Sequence, residues 1–167
     1  MIPIILGAAA LAGAAIYGVS ELIKDGERQR QEEERQRQEK ERRILASGIH
    51  EVDEMSGKDF EKLLSLLFRK TGYNVSLTPD TQDYGADLIL YKDDVKTIIQ
   101  AKRSKNPISV KAVQEVASAV RHYQANKAIV ITNNRFTDNA YNLARSNEVE
   151  LWDRKKLIEF MLRAKNY

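Results

Sequence analysis

The strongest constraint on the fold is the stretch from Gly85 to Lys102, in which two runs rich in β-branched residues flank a polar, acidic turn. This pattern is typical of a β-hairpin. Because alternate residues of a strand share a face, Gln100 and Lys102 point the same way on the second strand. Asp87, near the start of the first strand, can meet Lys102 across an antiparallel pair. The register decides whether they meet, and it cannot be read from sequence alone.

An acid, an amide and a lysine on half-buried strands carry a desolvation cost unless they bind something. A binding or catalytic site would explain all three. The alternatives are structural: Asp87 caps the hairpin or forms an ion pair with Lys102, and Gln100 is a polar residue of an exposed face.

Strands and helices alternate on both sides of the hairpin. The predicted elements are a helix between Ser56 and Gly72, a strand Tyr73–Thr78, a helix capped by Ser109, a strand Ala128–Thr132, a helix opened by Thr137, a strand Val149–Trp152 and a helix Leu157–Leu162. This order predicts an α/β fold with a mixed sheet flanked by helices. Within it, Tyr141 and Trp152 are predicted to be core residues.

The N-terminal segment carries no charged side chain from Met1 to Ser20 and is rich in alanine, glycine and isoleucine. Twenty helical residues span about 30 Å, the hydrocarbon thickness of a bilayer. We therefore predict a single transmembrane helix, roughly Ile2–Ile23, within a first domain of residues 1–23. A cleaved signal peptide, which needs a basic start, and a buried soluble helix are the alternatives.

A run of mixed charge follows from Lys24 to Arg43. Opposite charges three or four residues apart favour an exposed helix, and no apolar heptad repeat supports a coiled-coil seam. We predict a charged helical spacer and joint over residues 24–54. Because basic residues follow the predicted anchor and none precede it, the C-terminal part is expected in the cytoplasm, on the inner face of the cell membrane.

Composition limits the remaining domain, residues 55–167. The chain of 167 residues has no cysteine, which excludes disulfides and thiolate metal sites. Its net charge of +3 is too small to indicate a strongly basic nucleic-acid surface.

The motif Gly85-Ala86-Asp87, followed after twelve residues by Gln100-Ala101-Lys102, resembles the catalytic hairpin of Mrr-type restriction endonucleases, members of the PD-(D/E)xK nuclease superfamily. The helix with Phe60-Glu61, the strand Ile129–Thr132 and the segment Phe136–Ala144 also resemble that family. The resemblance covers about Met55 to Met161.

The resemblance implies a Mg²⁺-dependent endonuclease that hydrolyses the phosphodiester bonds of DNA. Asp87 would be the principal metal ligand, with the Ala101 carbonyl and Glu61 as further ligands. Gln100 replaces the usual second acid of the superfamily, as in the Mrr-type variant of the motif. Its neutral amide oxygen would bind metal more weakly, or would instead orient other groups. Lys102 would orient or help deprotonate the attacking water and offset phosphate charge.

DNA is accordingly the expected partner. Lys105, Lys111 and Arg121 are expected either to contact its phosphates or to be solvated surface residues. Gln114 and Glu115 are predicted to be surface residues, and for Gln114 the alternative is a role in supporting the site. Cleavage of both strands favours a homodimer, and restriction of foreign DNA is the expected role. The alternative function, motivated by the missing acid at Gln100, is a catalytically weak or inactive DNA-binding module held at the membrane.

Overall fold

The computed structural model describes residues 5–79, 81 and 84–166, and for residues 5–18 and 40–46 it describes the backbone alone. The chain divides into two compact units, Met1–Arg42 and Arg43–Tyr167. In the first unit, the described residues lie in the long helix α1, Ile5–Ala46. Its charged part is exposed and carries ion pairs between residues three apart, such as Arg28–Asp25 at 2.9 Å and Arg35–Glu32 at 2.8 Å.

Among the helices that the structure describes, none is both long enough and apolar enough to span a bilayer. Most of the predicted transmembrane segment, residues 1–18, lies outside the residues whose side chains are described.

The second unit begins before the predicted domain start at residue 55. A short helix, α2, Ile49–Glu54, belongs to this unit, whereas the sequence analysis assigned these residues to the spacer. Val52 is fully buried in the core. Six mostly polar residues with one buried position are too few to show a helical repeat, so this helix could not be recognised from its pattern.

The other predicted elements are present in the predicted order. They are α3 Gly57–Lys70, β1 Asn74–Leu77, β2 Leu88–Lys92, β3 Val95–Lys102, α4 Val110–Tyr123, β4 Lys127–Thr132, α5 Asp138–Ser146, β5 Val149–Trp152 and α6 Arg154–Lys165. The predicted caps are confirmed: Ser56 Oγ accepts from the Asp59 N–H, Ser109 Oγ from Lys111 and Thr137 Oγ1 from Ala140. The last helix begins earlier than predicted, because Asp153 caps it.

The sheet has the strand order β1-β2-β3-β4-β5. The first three strands pair antiparallel, and β3, β4 and β5 pair parallel. The predicted mixed sheet flanked by helices is therefore confirmed. Asp93 and Asp94 form the hairpin turn with φ of 50° and 60°, the left-handed conformation that a tight two-residue turn requires.

Helices cover both faces of the sheet. One face, with Leu88 and Ile99, packs with α3 and α6, and the other, with Ile98 and Val130, packs with α4 and α5. Trp152 is buried in the first of these cores, as predicted. Tyr141 is 41% exposed, so its assignment to the core was wrong: its hydroxyl reaches outward to Asp153 Oδ2 at 3.5 Å.

Candidate active site

The register of the hairpin places the three motif side chains on one face of the sheet. Leu88 pairs with Ile99, and the Asp87 N–H donates to the Ile99 carbonyl at 2.7 Å, so Asp87 lies opposite Gln100. Lys102 follows two residues later and shares their face, which is the face covered by α4. Asp87 is 8% exposed and Gln100 is 4% exposed. The half-buried cluster expected from the sequence is therefore more deeply buried than expected.

Asp87 is held by bonds from both neighbouring strands. Its Oδ2 accepts from the Ala101 N–H at 2.7 Å. On the other side, the Thr78 N–H donates to the Asp87 carbonyl at 3.0 Å, and Thr78 Oγ1 donates to the Ala86 carbonyl at 2.7 Å. These bonds fix the backbone on which the carboxylate stands, so its direction is set before any ligand arrives.

Gln100 contributes a buried amide oxygen to this site. Its Oε1 is buried and has no hydrogen-bond partner in the protein. A buried acceptor without a partner costs about 1–3 kcal/mol. Such an atom next to a buried carboxylate is suited to a hard cation, since Mg²⁺ prefers oxygen ligands and often takes only one or two carboxylates.

The Ala101 carbonyl is a third oxygen that lies near Asp87 and Gln100. A strand residue directs its N–H and C=O to the same side, and the Ala101 N–H points toward Asp87. Its carbonyl therefore also points to the β2 side, where the strand pairing ends. Within the described part of the chain, no three His, Cys, Asp or Glu side chains come together as a metal cluster. The donor set here is one carboxylate with neutral amide and carbonyl oxygens.

Lys102 forms an ion pair that was not expected from the sequence. Its Nζ lies 2.9 Å from Glu115 Oε2, while Lys111 Nζ lies 4.0 Å from Glu115 Oε1. These residues line an open cleft of about 270 Å³ together with Pro107 and Ser109. Glu115 was predicted to be a surface residue, but its side chain is only 30% exposed. Its role depends on how α4 packs on β3, which helical periodicity does not reveal.

Gly85 determines how closely α4 approaches the site. Its φ of +89° is in the left-handed region, and a Cβ added there would lie 2.4 Å from the Glu115 carbonyl oxygen. A residue with a side chain would be strained by its backbone and would collide with the helix. The glycine two residues before Asp87 therefore permits the contact between the hairpin and the helix that carries Glu115.

The other residues predicted for the site lie in α3, in α4 and in the loop after β3. Glu61 is half-buried in α3, the helix on the opposite face of the sheet. Lys105 is exposed in the loop after β3, and Lys111 is exposed beside the cleft. Arg121 is exposed in the last turn of α4, about 15 Å along the helix axis from Lys111. The structure thus groups Lys111 with Lys102 and separates Arg121 from both.

A second polar cluster lies where the parallel strands end. Arg154 donates to both carboxylate oxygens of Asp53, at 2.6 and 2.9 Å, and Asn133 Nδ2 donates to Asp53 Oδ1 at 2.9 Å. Asn133 Oδ1 in turn accepts from the Ser104 N–H at 2.8 Å. The hydrogen bonds from Arg154 lower the pKa of Asp53 below its ordinary value, and the same pairing raises the pKa of Arg154. This cluster holds α2 against the loop that follows Lys102. Because its members are far apart in the sequence, no local pattern predicts that they come together.

Comparisons with known structures support the same fold. A DNA modification-dependent restriction endonuclease, AspBHI, is 18% identical with a TM-score of 0.56, over 77% of this chain and 36% of that one. A protein of unknown function, AF1548, is 17% identical with a TM-score of 0.52, over 62% of this chain and 64% of that one. The chain therefore spans less than two thirds of the length of either structure. At these identities the similarity shows the fold alone.

Comparison with curated proteins found no significant match. A family model, Mrr_cat, described as restriction endonuclease, matches residues 52–161. The match covers more than half of the chain, and it includes the last three residues of α2, the hairpin and all of the parallel strands. It also confirms the resemblance inferred from the Asp87 and Gln100-Ala101-Lys102 motifs. By this match the chain belongs to the Mrr catalytic-domain family of restriction endonucleases.

Proposed function

We propose that this protein is a Mg²⁺-dependent DNA endonuclease whose active site is formed by Asp87, Gln100 and Lys102. The observation that carries the proposal is the shared face of these side chains, on which the Gln100 Oε1 is buried without a partner. Burying an acid and an unpaired amide oxygen together is costly for stability alone. The cost is explained if a cation is held there during function.

Each residue has a distinct role in this proposal. Asp87, the amide oxygen of Gln100 and the carbonyl of Ala101 would hold the metal, with Glu61 as a candidate for a further oxygen ligand. When bound, the metal would polarise the scissile phosphate and lower the pKa of a water molecule. Lys102 would orient the attacking water and offset charge that develops on the phosphate. The exposed Lys105, Lys111 and Arg121 would contact neighbouring phosphates.

Cleavage of supercoiled plasmid by the full chain, with and without MgCl2, tests the proposal. Nicked or linear product is expected only with the metal, and Asp87→Ala and Lys102→Ala are each expected to slow its formation at least about a hundredfold. Equal cleavage by wild type and both variants would indicate a contaminating nuclease and would refute the assignment.

A DNA-binding module without significant cleavage is the second candidate. Two observations favour it: Gln100 supplies no negative charge, and Lys102 is engaged by Glu115. This function predicts DNA binding that weakens steeply with salt and survives Asp87→Ala, with no metal-dependent product. A filter-binding titration at 50 and 200 mM NaCl, run beside the plasmid assay, distinguishes it from an endonuclease.

We further propose that the uncharged N-terminal segment anchors the protein in the cell membrane with the nuclease domain on the cytoplasmic side. The support is the absence of charged side chains from Met1 to Ser20 together with the basic residues that follow. In cell fractionation, the full chain should sediment with membranes and resist extraction by salt, and a chain lacking residues 1–23 should not. Full-length protein in the soluble fraction would refute the anchor.

We also propose a homodimer, since cutting both strands requires two active sites, and a role in restricting foreign DNA. Light scattering of detergent-solubilised protein tests the first proposal through the mass of the particle. Transformation efficiency with unmodified plasmid tests the second, with Asp87→Ala as the matched control. A monomer that linearises DNA in a single binding event would contradict the dimer.

A further inference from the structure

The ion pair between Lys102 and Glu115 joins two different elements, the end of β3 and the middle of α4. The two side chains are 34% and 30% exposed, so the pair is partly shielded from solvent. A lysine has a flexible four-carbon stem, and its ammonium group occupies many positions unless a partner restricts it. Glu115 is the residue that restricts Lys102 in this structure.

The backbone of Glu115 is itself fixed. Its carbonyl oxygen accepts from Ser118 Oγ at 2.8 Å, and Gly85 packs against its backbone with no room for a Cβ. Gly85 lies two residues before Asp87. One close contact therefore ties the strand that presents Asp87 to the helix that presents Glu115, and the spacing between the carboxylate of Asp87 and the ammonium of Lys102 depends on it.

We propose that Glu115 is a positioning residue for Lys102 in phosphodiester hydrolysis, an inference that rests on the proposed nuclease function. Glu115 holds the Lys102 ammonium group at the edge of the cleft, on the face that carries Asp87 and Gln100. It acts through Lys102 and contacts no substrate atom. Correct placement of a single catalytic group affects turnover strongly, because a displacement of about 1 Å can cost a hundredfold in rate.

The charge of Glu115 predicts opposite effects on cleavage and on DNA binding when it is removed. Its two carboxylate oxygens lie near Lys102 and Lys111, so it neutralises part of the positive charge beside the cleft. Removing that negative charge leaves more positive potential for the DNA backbone. Glu115→Gln is therefore expected to slow cleavage while DNA binding is unchanged or tighter. A residue needed only for folding would lower stability and weaken both.

The test measures single-turnover plasmid cleavage with MgCl2, DNA affinity in EDTA and thermal unfolding for the full chain. Glu115→Gln should reduce the cleavage rate about tenfold to a hundredfold, with no weakening of DNA affinity. Glu115→Asp, which keeps the charge on a shorter side chain, should retain an intermediate rate. The matched control is Glu150→Gln, because Glu150 also pairs with a lysine, Lys156, outside the site. It should leave the rate unchanged.

A double-variant cycle shows whether Glu115 acts through Lys102 or independently of it. In a Lys102→Gln background, adding Glu115→Gln should cause no further loss of rate, because the group that Glu115 positions is already gone. Additive losses, or a wild-type rate in Glu115→Gln, would overturn the inference while leaving the nuclease function intact. Absence of Mg²⁺-dependent cleavage by the wild type would overturn the proposed function and this inference together.

Discussion

Two carboxylates of the domain, the half-buried Asp53 and the buried Asp87, differ in whether the polar groups around them find partners within the protein. Asp53 receives two hydrogen bonds from Arg154 and a third from Asn133. Asp87 lies opposite Gln100, whose buried Oε1 has no partner in the protein. A carboxylate matched by a guanidinium needs no ligand and stabilises the fold. A carboxylate beside a buried acceptor that has no hydrogen-bond partner indicates a site that is completed by a bound ligand.

The largest expected effects on cleavage and on stability come from changing Asp87 and Asp53, each to asparagine. Asp87→Asn should reduce cleavage about a thousandfold, because the loss of a metal-binding charge costs several kcal/mol in the transition state. Its effect on stability should be small, since the amide oxygen can still accept from the Ala101 N–H. Single-turnover cleavage and urea unfolding measure the two quantities.

Asp53→Asn is the matched control and should show the opposite pattern. Losing charge-assisted hydrogen bonds to Arg154 should lower the free energy of unfolding by about 1–3 kcal/mol. The cleavage rate of the folded fraction should stay within about threefold of wild type, well short of the hundredfold loss at a catalytic group. A variant at Asp53 that loses activity while fully folded would remove the distinction between the two acids.

Gly85→Ala tests whether the site depends on the close approach of α4. The added Cβ would lie 2.4 Å from the Glu115 carbonyl oxygen at a φ of +89°. We expect a loss of about 1–3 kcal/mol in the free energy of unfolding, with reduced cleavage as Glu115 moves. Thermal unfolding and plasmid cleavage provide the measurements.

Gly57→Ala provides the control for that substitution. A Cβ at Gly57 would meet no atom within 4 Å, and its position in the first turn of α3 requires no positive φ. It should be neutral or stabilising by up to about 1 kcal/mol. If both glycine substitutions destabilise the protein equally, the close approach of α4 does not depend specifically on a glycine at position 85.

Acid titration should reveal the Asp53 pair. Its pKa is lowered in the folded protein, mainly by hydrogen bonds from Arg154, so the unfolded chain takes up its proton first as the pH falls. The stabilisation is fully present above an unfolded pKa of about 3.9 and is lost as the pH falls through the folded value. The stability difference between wild type and Asp53→Asn, measured by urea unfolding, should shrink from pH 7 toward pH 3. A difference that stays constant over this range would contradict the pairing.

The smallest expected effect is that of Gln100→Glu, which places a second acid opposite Asp87. With Mg²⁺ present, the half-saturating metal concentration should fall several-fold, because a charged ligand replaces a neutral one. Without metal, two neighbouring carboxylates repel, and thermal stability should drop. An unchanged metal requirement in the plasmid assay would place Gln100 outside the metal's coordination.

Local sequence patterns predicted most of the secondary structure. Some features depend only on residues close together in the chain, so they can be predicted from the sequence. They are the alternating pattern of the hairpin, the apolar run of β4 and the helix caps at Ser56, Ser109 and Thr137. The motif spacing from Asp87 to Lys102 also identified the family. Helix α2 escaped prediction because its one buried side chain, Val52, produces no periodic pattern.

The amino-acid sequence alone determined the order of the elements from α3 onward, the family and the choice of Asp87, Gln100 and Lys102 as candidates, since these follow from local periodicity and motif spacing. Tertiary structure decided the register that puts those side chains on one face, the engagement of Lys102 by Glu115 and the fastening of α2 through Asp53 and Arg154. These contacts join residues distant in the chain. They arise only when helices pack on the sheet, which no pattern within a single element encodes.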